Sequence, residues 1–211
     1  MTTDQRPILV VVPDDDAGAI LRYAAWEALV HGCPLELVHA YRPADEARAE
    51  HRVADAVDEA GLLAGPGVPV TGHAVSGTPA SSVVSTGAGA GLVVVPRRDA
   101  PALVNALEGE GFTIASVPPG WTVRPDDQRP VLLGVADPAG APALVARGLE
   151  IARVHEAPLR VLYSWHARDS YEAELLDEAR EARALVLARG PEARTLCRVL
   201  PESPCPVVLL P

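Results

Sequence analysis

The segment Arg6-Pro-Ile-Leu-Val-Val-Val-Pro-Asp14 recurs in altered form as Arg129-Pro-Val-Leu-Leu-Gly-Val-Ala-Asp137, at an offset of 123 residues. A second block repeats as well, because His31-Gly-Cys-Pro-Leu-Glu-Leu-Val38 matches His155-Glu-Ala-Pro-Leu-Arg-Val-Leu162 at an offset of 124. A repeat of this length indicates two copies of one folding unit. We predict domain 1 at residues 6–125 and domain 2 at residues 129–211, with a linker in the polar, turn-prone segment 124–128.

Apolar strand patterns alternate with helical patterns in the first copy. The unbroken run at 8–12 is typical of a parallel strand that is buried on both faces. Further strands are predicted at 35–41, 68–75 and 92–95, and the fifth at 121–124, with 113–117 as the alternative. Of the intervening helices, the first is predicted to begin at Asp16 and the third at Thr78. The second and fourth are predicted to span residues 45–60 and 100–107. This order implies right-handed crossovers and a parallel sheet with helices on both faces.

Two of these helices carry specific predictions about their ends and faces. Asp16 is a helix-capping residue, and Ile20 to Leu29 supply one apolar stripe that ends before Gly32. Thr78 is predicted as the N-cap of the third helix, with Pro79 at its first position.

The second copy is shorter than the first. Its strands are predicted at 131–135, 159–163 and 185–188 and its helices at 142–155 and 170–183. The fourth strands of the two copies are 93 residues apart, whereas the earlier blocks are 124 apart, so 31 residues are missing. They correspond to the second helix and the third strand, which is an edge strand in the order 3-2-1-4-5. The predicted fold is therefore α/β, with two tandem doubly wound, Rossmann-like domains, the second lacking one helix and the edge strand.

Composition excludes several functions. The net charge of −10 argues against nucleic acid or an anionic membrane as a partner, since both attract a basic face. The chain contains no lysine, which excludes a Walker-type phosphate loop and a Schiff base.

Cys33, Cys197 and Cys205 fit neither a disulfide framework nor a zinc site. The histidines and serines lack metal-ligand or nucleophile-elbow spacing, so we expect no metal site and no catalytic residue. The polar N-terminus carries no signal-peptide pattern, and we expect a cytoplasmic protein.

Several motifs together resemble the universal stress protein family in its tandem form. They are Gly77-Thr-Pro-Ala80 leading to Ala90-Gly-Leu-Val-Val-Val95, the turns at Pro34 and Pro158, and the closing Pro204-Cys-Pro-Val-Val-Leu-Leu210. Residues 118–124 resemble that closing strand and are its eroded counterpart in the first copy. The resemblance implies ATP binding through an Asp at the end of strand one and a Gly-x-x-Gly loop after strand four. It also implies that the two domains pair through their fifth strands, as a pseudo-dimer within one chain.

The ATP motifs themselves are missing from both copies. After the fourth strand the copies read Pro96-Arg-Arg-Asp-Ala-Pro101 and Arg189-Gly-Pro-Glu-Ala-Arg194, and Asp14 and Asp137 stand one place later than the family pattern. The candidate cofactor-binding residues are Asp14, Arg97 and Arg98, since guanidinium groups could replace the missing loop. The alternative for the arginines is a solvated pair beside Asp99. Residues 14–16 could ligate magnesium, but a polar loop that caps a helix is the preferred interpretation.

These observations predict a non-catalytic, universal-stress-type protein that acts through an unidentified protein partner or a modified ligand site, with no cofactor. The alternative is a regulator that binds ATP or another adenine nucleotide with magnesium in the first domain. A related nucleotide hydrolase or ligase would need a Ser-Gly-Gly-x-Asp-Ser signature, which the sequence lacks. The Arg-only, Ala- and Pro-rich composition indicates a GC-rich bacterial genome.

Overall fold

The chain consists of two compact units, which we call unit 1 (Met1–Val123) and unit 2 (Arg124–Pro211). The structure, a computed structural model, describes residues 6–107, 110–122, 124, 127–136, 140–163, 168–189 and 199–211. None of the helices in these ranges is both long and apolar enough to cross a membrane.

Unit 1 is a five-stranded parallel sheet in the order β3-β2-β1-β4-β5. Its strands are β1 Ile8–Val11, β2 Leu35–Tyr41, β3 Val70–Ser76, β4 Leu92–Pro96 and β5 Ile114–Val117. Its helices are α1 Gly18–His31, α2 Glu46–Ala64, α3 Pro79–Thr86 and α4 Ala100–Ala106, with a short 3-10 turn at Pro43–Asp45 before α2. The predicted doubly wound sheet is confirmed.

The core of unit 1 lies on both faces of its central strands. Every residue of β1 is buried, and so are Val93, Val94 and Val95 of β4. Helix α1 packs against α2, and α3 contacts α4. Because parallel crossovers are right-handed, the change of direction at β1 places α1 and α2 on one face and α3 and α4 on the other.

The ends of two helices follow from local chemistry. The Asp16 carboxylate accepts a hydrogen bond from the Gly18 amide at 2.8 Å, although the capping position itself is Ala17. Gly32 ends α1 with a positive φ of 63°, as predicted. Leu29, assigned to the apolar stripe of α1, is 53% exposed, so that assignment is wrong. At about 100° per residue, position 29 lies roughly 180° round the helix from the buried Ile20.

The preferred position of the fifth strand was wrong and the alternative is correct. Strand β5 is Ile114–Val117, all four residues are buried, and the Arg97 amide donates to the Val117 carbonyl at 2.8 Å. Pro118 and Pro119 have no amide to continue the ladder, and Gly120 turns the chain with a φ of 71°. The match of residues 118–124 to the closing strand Pro204–Leu210 is therefore also wrong.

Unit 2 is a four-stranded parallel sheet in the order β9-β8-β6-β7. Its elements are β6 Val131–Val135, α5 Ala141–Val154, β7 Leu159–Tyr163, α6 Arg168–Ala179, β8 Ala184–Ala188 and β9 Val207–Leu210. Helix α6 leads from β7 directly to β8, so counterparts of α2 and β3 are absent from the described part of the unit. The predicted loss of one helix and the edge strand is confirmed, and β9 corresponds to β5.

Candidate functional site

The carboxyl ends of β1 and β4 meet at the point where the strand order of unit 1 changes direction. Open parallel sheets of this kind bind ligands in the crevice at such a point. The sequence predicts Asp14, Arg97 and Arg98 as candidate binding residues at this point, on the turns that follow the two strands. The structure gives these three side chains different neighbours.

Asp14 lies at the mouth of the crevice and is largely exposed. Its Oδ1 is 3.6 Å from Nε2 of His39, a buried histidine of β2. Nδ1 of His39 is 2.8 Å from the Val12 carbonyl, which can only accept, so Nδ1 carries the proton. This bond fixes the imidazole and points Nε2 toward the Asp14 carboxylate.

Arg97 does not point into the crevice. Its side chain is buried, with 6% exposure, and Nη2 donates to the Ser116 carbonyl of β5 at 3.2 Å. Together with the backbone bond to Val117, this contact ties the end of β4 to β5. In this conformation the guanidinium of Arg97 therefore has a structural role and does not face a ligand in the crevice.

Arg98 forms an ion pair with Asp15 that connects the turn after β4 to the turn after β1. Nε of Arg98 is also 3.7 Å from Oδ1 of Asp99. The hydrogen bond from Arg98 lowers the pKa of Asp15, and the same bond raises the pKa of Arg98. Burial raises the pKa of Asp99, and nearby Arg98 only partly offsets this effect.

The backbone of the turn after β4 bonds to the protein itself. The amides of Arg97, Asp99 and Ala100 donate to the carbonyls of Val117, Pro96 and Arg97, at 2.8, 3.0 and 3.4 Å. Pro96 and Pro101 have no amide hydrogen. A loop that cradles phosphate works in the opposite way, with its amides directed at the ligand.

A cleft of about 750 Å³ lies beside this crevice, at the carboxyl ends of β2 and β3 and against α2. Asp14 belongs to its wall, but Arg97 and Arg98 do not. Its charged and polar lining is Asp14, His39, Tyr41, Arg42, Asp45, Arg48, His51, Arg52, Asp55 and Thr78. Nε of Arg52 donates to the Pro13 carbonyl at 3.1 Å and joins α2 to the turn after β1.

Sequence reasoning missed this cleft, although a signal was present. Arg48 and Arg52 are four residues apart and so share one face of α2. Arg42 directly follows the carboxyl end of β2. The carboxyl ends of the strands lie on the same side of the sheet, which is where the sequence predicts Asp14. In the second copy, Asp137 and residues 190–194 lie outside the described residues.

The fold and the crevice define a doubly wound α/β protein made of two tandem units. No family model matches the chain, and no curated protein matches it. A universal stress protein from Archaeoglobus fulgidus superposes with a TM-score of 0.72 at 9% identity, over 97% of this chain and 95% of that one. A protein from Pseudomonas aeruginosa UCBPP-PA14 assigned to the same family gives 0.70 at 18% identity, over 97% and 92%. A protein of unknown function from Pseudomonas aeruginosa PAO1 gives 0.64 at 16%, with the same coverage. The chain therefore has the fold of the universal stress proteins over nearly its whole length.

Proposed function

We propose that this protein is a non-catalytic regulator of the universal-stress type, which acts through contacts with other proteins and does not hold a nucleoside triphosphate. The observation that carries the proposal is the inward hydrogen bonding of the turn after β4. Three of its amides donate to carbonyls of the protein, so a triphosphate there would lack a backbone cradle.

The side chains around the crevice support the same proposal. Arg97, the nearest cation on the turn, is buried against β5, and Arg98 is paired with Asp15. The carboxylates of Asp14 and Asp15 outnumber the Arg98 guanidinium at the entrance, so the remaining negative charge repels a polyanion. Magnesium could offset this repulsion, but the aligned phosphate donors would still be missing.

Isothermal titration with ATP, ADP and AMP, each with magnesium, tests the proposal on the full chain. We expect no saturable heat at millimolar nucleotide, with a nucleotide-binding protein of known affinity as the positive control. Micromolar affinity that is lost in Asp14→Ala or Arg97→Ala would overturn it. Steady release of phosphate or pyrophosphate from these nucleotides would contradict the non-catalytic part.

A second candidate function has one observation in its favour. The cleft beside the crevice is large enough for a nucleoside and carries the guanidinium groups of Arg42, Arg48 and Arg52. An adenine nucleotide bound there with magnesium would make the protein a nucleotide-dependent regulator. AMP binding that is weakened by Arg52→Gln and unchanged by Arg98→Gln would favour this function over the first.

The pairing of the two units through their fifth strands, implied by the family resemblance, is also a proposal. In β5, the amides of Ile114 and Ser116 point away from β4, because Thr113 and Val117 accept the ladder bonds from Val93 and Arg97. Pairing predicts slow hydrogen exchange at Ile114 and Ser116 in the full chain. Fast exchange at both amides would contradict it.

A further inference from the structure

Strand β3 forms one edge of the sheet of unit 1 and pairs only with β2 among the described residues. Pro69 accepts a bond from Leu35, and Gly77 donates to Tyr41, so the odd-numbered residues of this stretch bond inward. Hydrogen-bonding direction alternates along a parallel strand. The outward amides and carbonyls therefore belong to Val70, Gly72, Ala74 and Ser76.

This edge lacks the usual features that prevent another strand from pairing with it. Its seven residues contain no proline and no Asp, Glu, Lys or Arg, and their pairing with β2 is continuous and free of bulges. At about 3.3 Å per residue the open edge extends over roughly 23 Å. Three of the four outward-bonding residues, Gly72, Ala74 and Ser76, also have small side chains, so a second backbone can approach closely.

A groove of about 540 Å³ runs along this edge, between β3 and α2. Its floor includes Gly72, and a Cβ at that position would stand 2.6 Å from Val53 and 2.7 Å from Val57. The absent side chain thus lets α2 lie close to the strand. Ala54 and Val57 give the middle of the groove an apolar wall.

Carboxylates stand at both ends of the α2 wall. They are Glu50 and Asp58, both exposed, and none of the described residues that line the groove is an Arg or a Lys. Eight residues of helix separate them by about 12 Å. Alternate residues of a strand share one face, so two strand residues four apart are about 13 Å apart on the same face.

We propose that the β3 edge binds an extended segment of a partner protein, which adds a sixth strand to unit 1. The segment carries basic residues at positions i and i+4, which pair with Glu50 and Asp58, and an apolar residue at i+2, which contacts Val57. This inference rests on the proposed action through protein contacts and specifies the chemistry of the partner.

A second copy of this chain fits the edge less well. Symmetric pairing would bring Val70–Ser76 of the copy into the groove, and its only ionisable side chain is His73. The chain also carries a net charge of −10, so two copies repel each other. A basic segment has the complementary charge.

The test measures the fluorescence anisotropy of a labelled peptide, Ser-Thr-Arg-Thr-Val-Thr-Arg-Thr-Ser, on titration with the full chain. We expect saturable binding, which is lost when both arginines of the peptide are replaced by glutamate. The double variant Glu50→Arg, Asp58→Arg should weaken binding by roughly tenfold or more. The matched control, Asp55→Arg with Glu59→Arg, makes the same charge change on α2 at two residues that do not line the groove, and it should weaken binding much less than the first variant. Equal losses in both variants would show non-specific attraction and overturn the proposal.

Hydrogen exchange tests whether the peptide pairs as a strand. Bound peptide should slow the outward amides of Val70, Gly72, Ala74 and Ser76, while Thr71, His73 and Val75, already bonded to β2, change little. Ala74→Pro removes one outward donor and should weaken binding without disturbing the inward ladder. Binding with no protection at the four outward amides would refute strand addition, and this readout stands even if Ala74→Pro does not fold.

Light scattering separates the remaining outcomes. A dimer of the full chain that Ala74→Pro converts to monomer would show that a second copy occupies the edge, and the basic-segment proposal would fall.

If the peptide does not bind and ATP also does not bind, only this inference fails. If ATP binds tightly at the crevice, the proposed function fails while the peptide measurement still decides the edge.

Discussion

Arg98 and Asp15 form an ion pair that joins the turn after β4 to the turn after β1. The pair spans the point of the sheet where related folds admit a ligand, and both partners are substantially exposed. Exposed ion pairs contribute little to folding stability. Their principal effect here is on the charge and the accessibility of the crevice.

Replacing Arg98 should raise the pKa of the Asp15 carboxyl toward its ordinary value of 3.8, because the hydrogen bond from Arg98 is the largest cause of its lowering. Carboxyl-carbon NMR titration of wild type and Arg98→Gln measures this shift. A lowered folded-state pKa stabilises the protein above pH 3.8, and this stabilisation is lost as pH falls through the folded value. The stability difference between the two proteins should therefore shrink in acid. Arg42→Gln, which removes another exposed arginine, should leave the pKa of Asp15 unchanged, and an equal shift there would contradict the pairing.

Asp99→Asn should stabilise unit 1 at pH 7. Burial raises the pKa of Asp99, and its side chain makes no capping bond to α4, so its charge is a net cost in the folded state. A raised folded-state pKa means that stability is greatest below the ordinary value of 3.8 and falls as pH rises through the folded value. The gain from Asp99→Asn should thus be seen at pH 7 and vanish in acid. Thermal melts of both proteins across this pH range measure it, and a gain that persists in acid would point to a cause other than charge.

The sequence was sufficient for the order of strands and helices because each central strand is a continuous apolar run. A run of this kind indicates a strand that is buried on both faces, and every residue of Ile8–Val11 and Val131–Val135 is buried. The fifth strand was misplaced at 121–124, beside the resemblance of residues 118–124 to the closing segment Pro204–Leu210. The true strand, Ile114–Val117, includes Ser116, and only the folded sheet shows that this serine is buried. Segment 121–124 also fits a short strand by its sequence, but it follows Pro118 and Pro119, which have no amide hydrogen to donate to a neighbouring strand.

The candidate site was less predictable than the fold. The motif comparison placed two arginines after β4, but it could not show that Arg97 turns inward to Ser116 while Arg98 turns outward to Asp15. Adjacent residues that follow a strand point in different directions, so spacing alone left their roles open. The cleft beside Asp14 depends on where α2 lies relative to β2 and β3, which local sequence does not determine.

Two glycines near helix ends should respond to alanine in opposite directions. Gly32 ends α1 with a φ of 63°, a conformation that costs alanine roughly 1 kcal/mol. Gly61 lies within α2, and a Cβ there would meet no atom of the described residues within 4 Å. Gly61→Ala should therefore stabilise the protein by up to about 1 kcal/mol through helix propensity. Urea unfolding of both variants measures the difference, and a destabilised Gly61→Ala would contradict this account of α2.

Gly134 in β6 occupies the position that corresponds to Val11 in β1, and copying the valine into unit 2 should destabilise it. A Cβ at Gly134 would lie 2.6 Å from Leu187, 2.8 Å from the Tyr171 hydroxyl and 3.0 Å from Leu175. All three of these side chains are buried, so none can move aside into solvent. Gly134→Val should cost roughly 1–3 kcal/mol of unfolding free energy through overpacking, with a smaller loss for Gly134→Ala.

A second substitution distinguishes overpacking from a general intolerance of change in β6. Leu175→Ala alone opens a cavity and should cost roughly 2–5 kcal/mol. Combined with Gly134→Val, it makes room for the new side chain, so the double variant should lose less than the sum of the single losses. Urea unfolding of the four proteins gives this coupling energy directly. Strictly additive losses would mean that Leu175 and the new valine do not compete for the same space, and the glycine would then need an explanation in the backbone of β6.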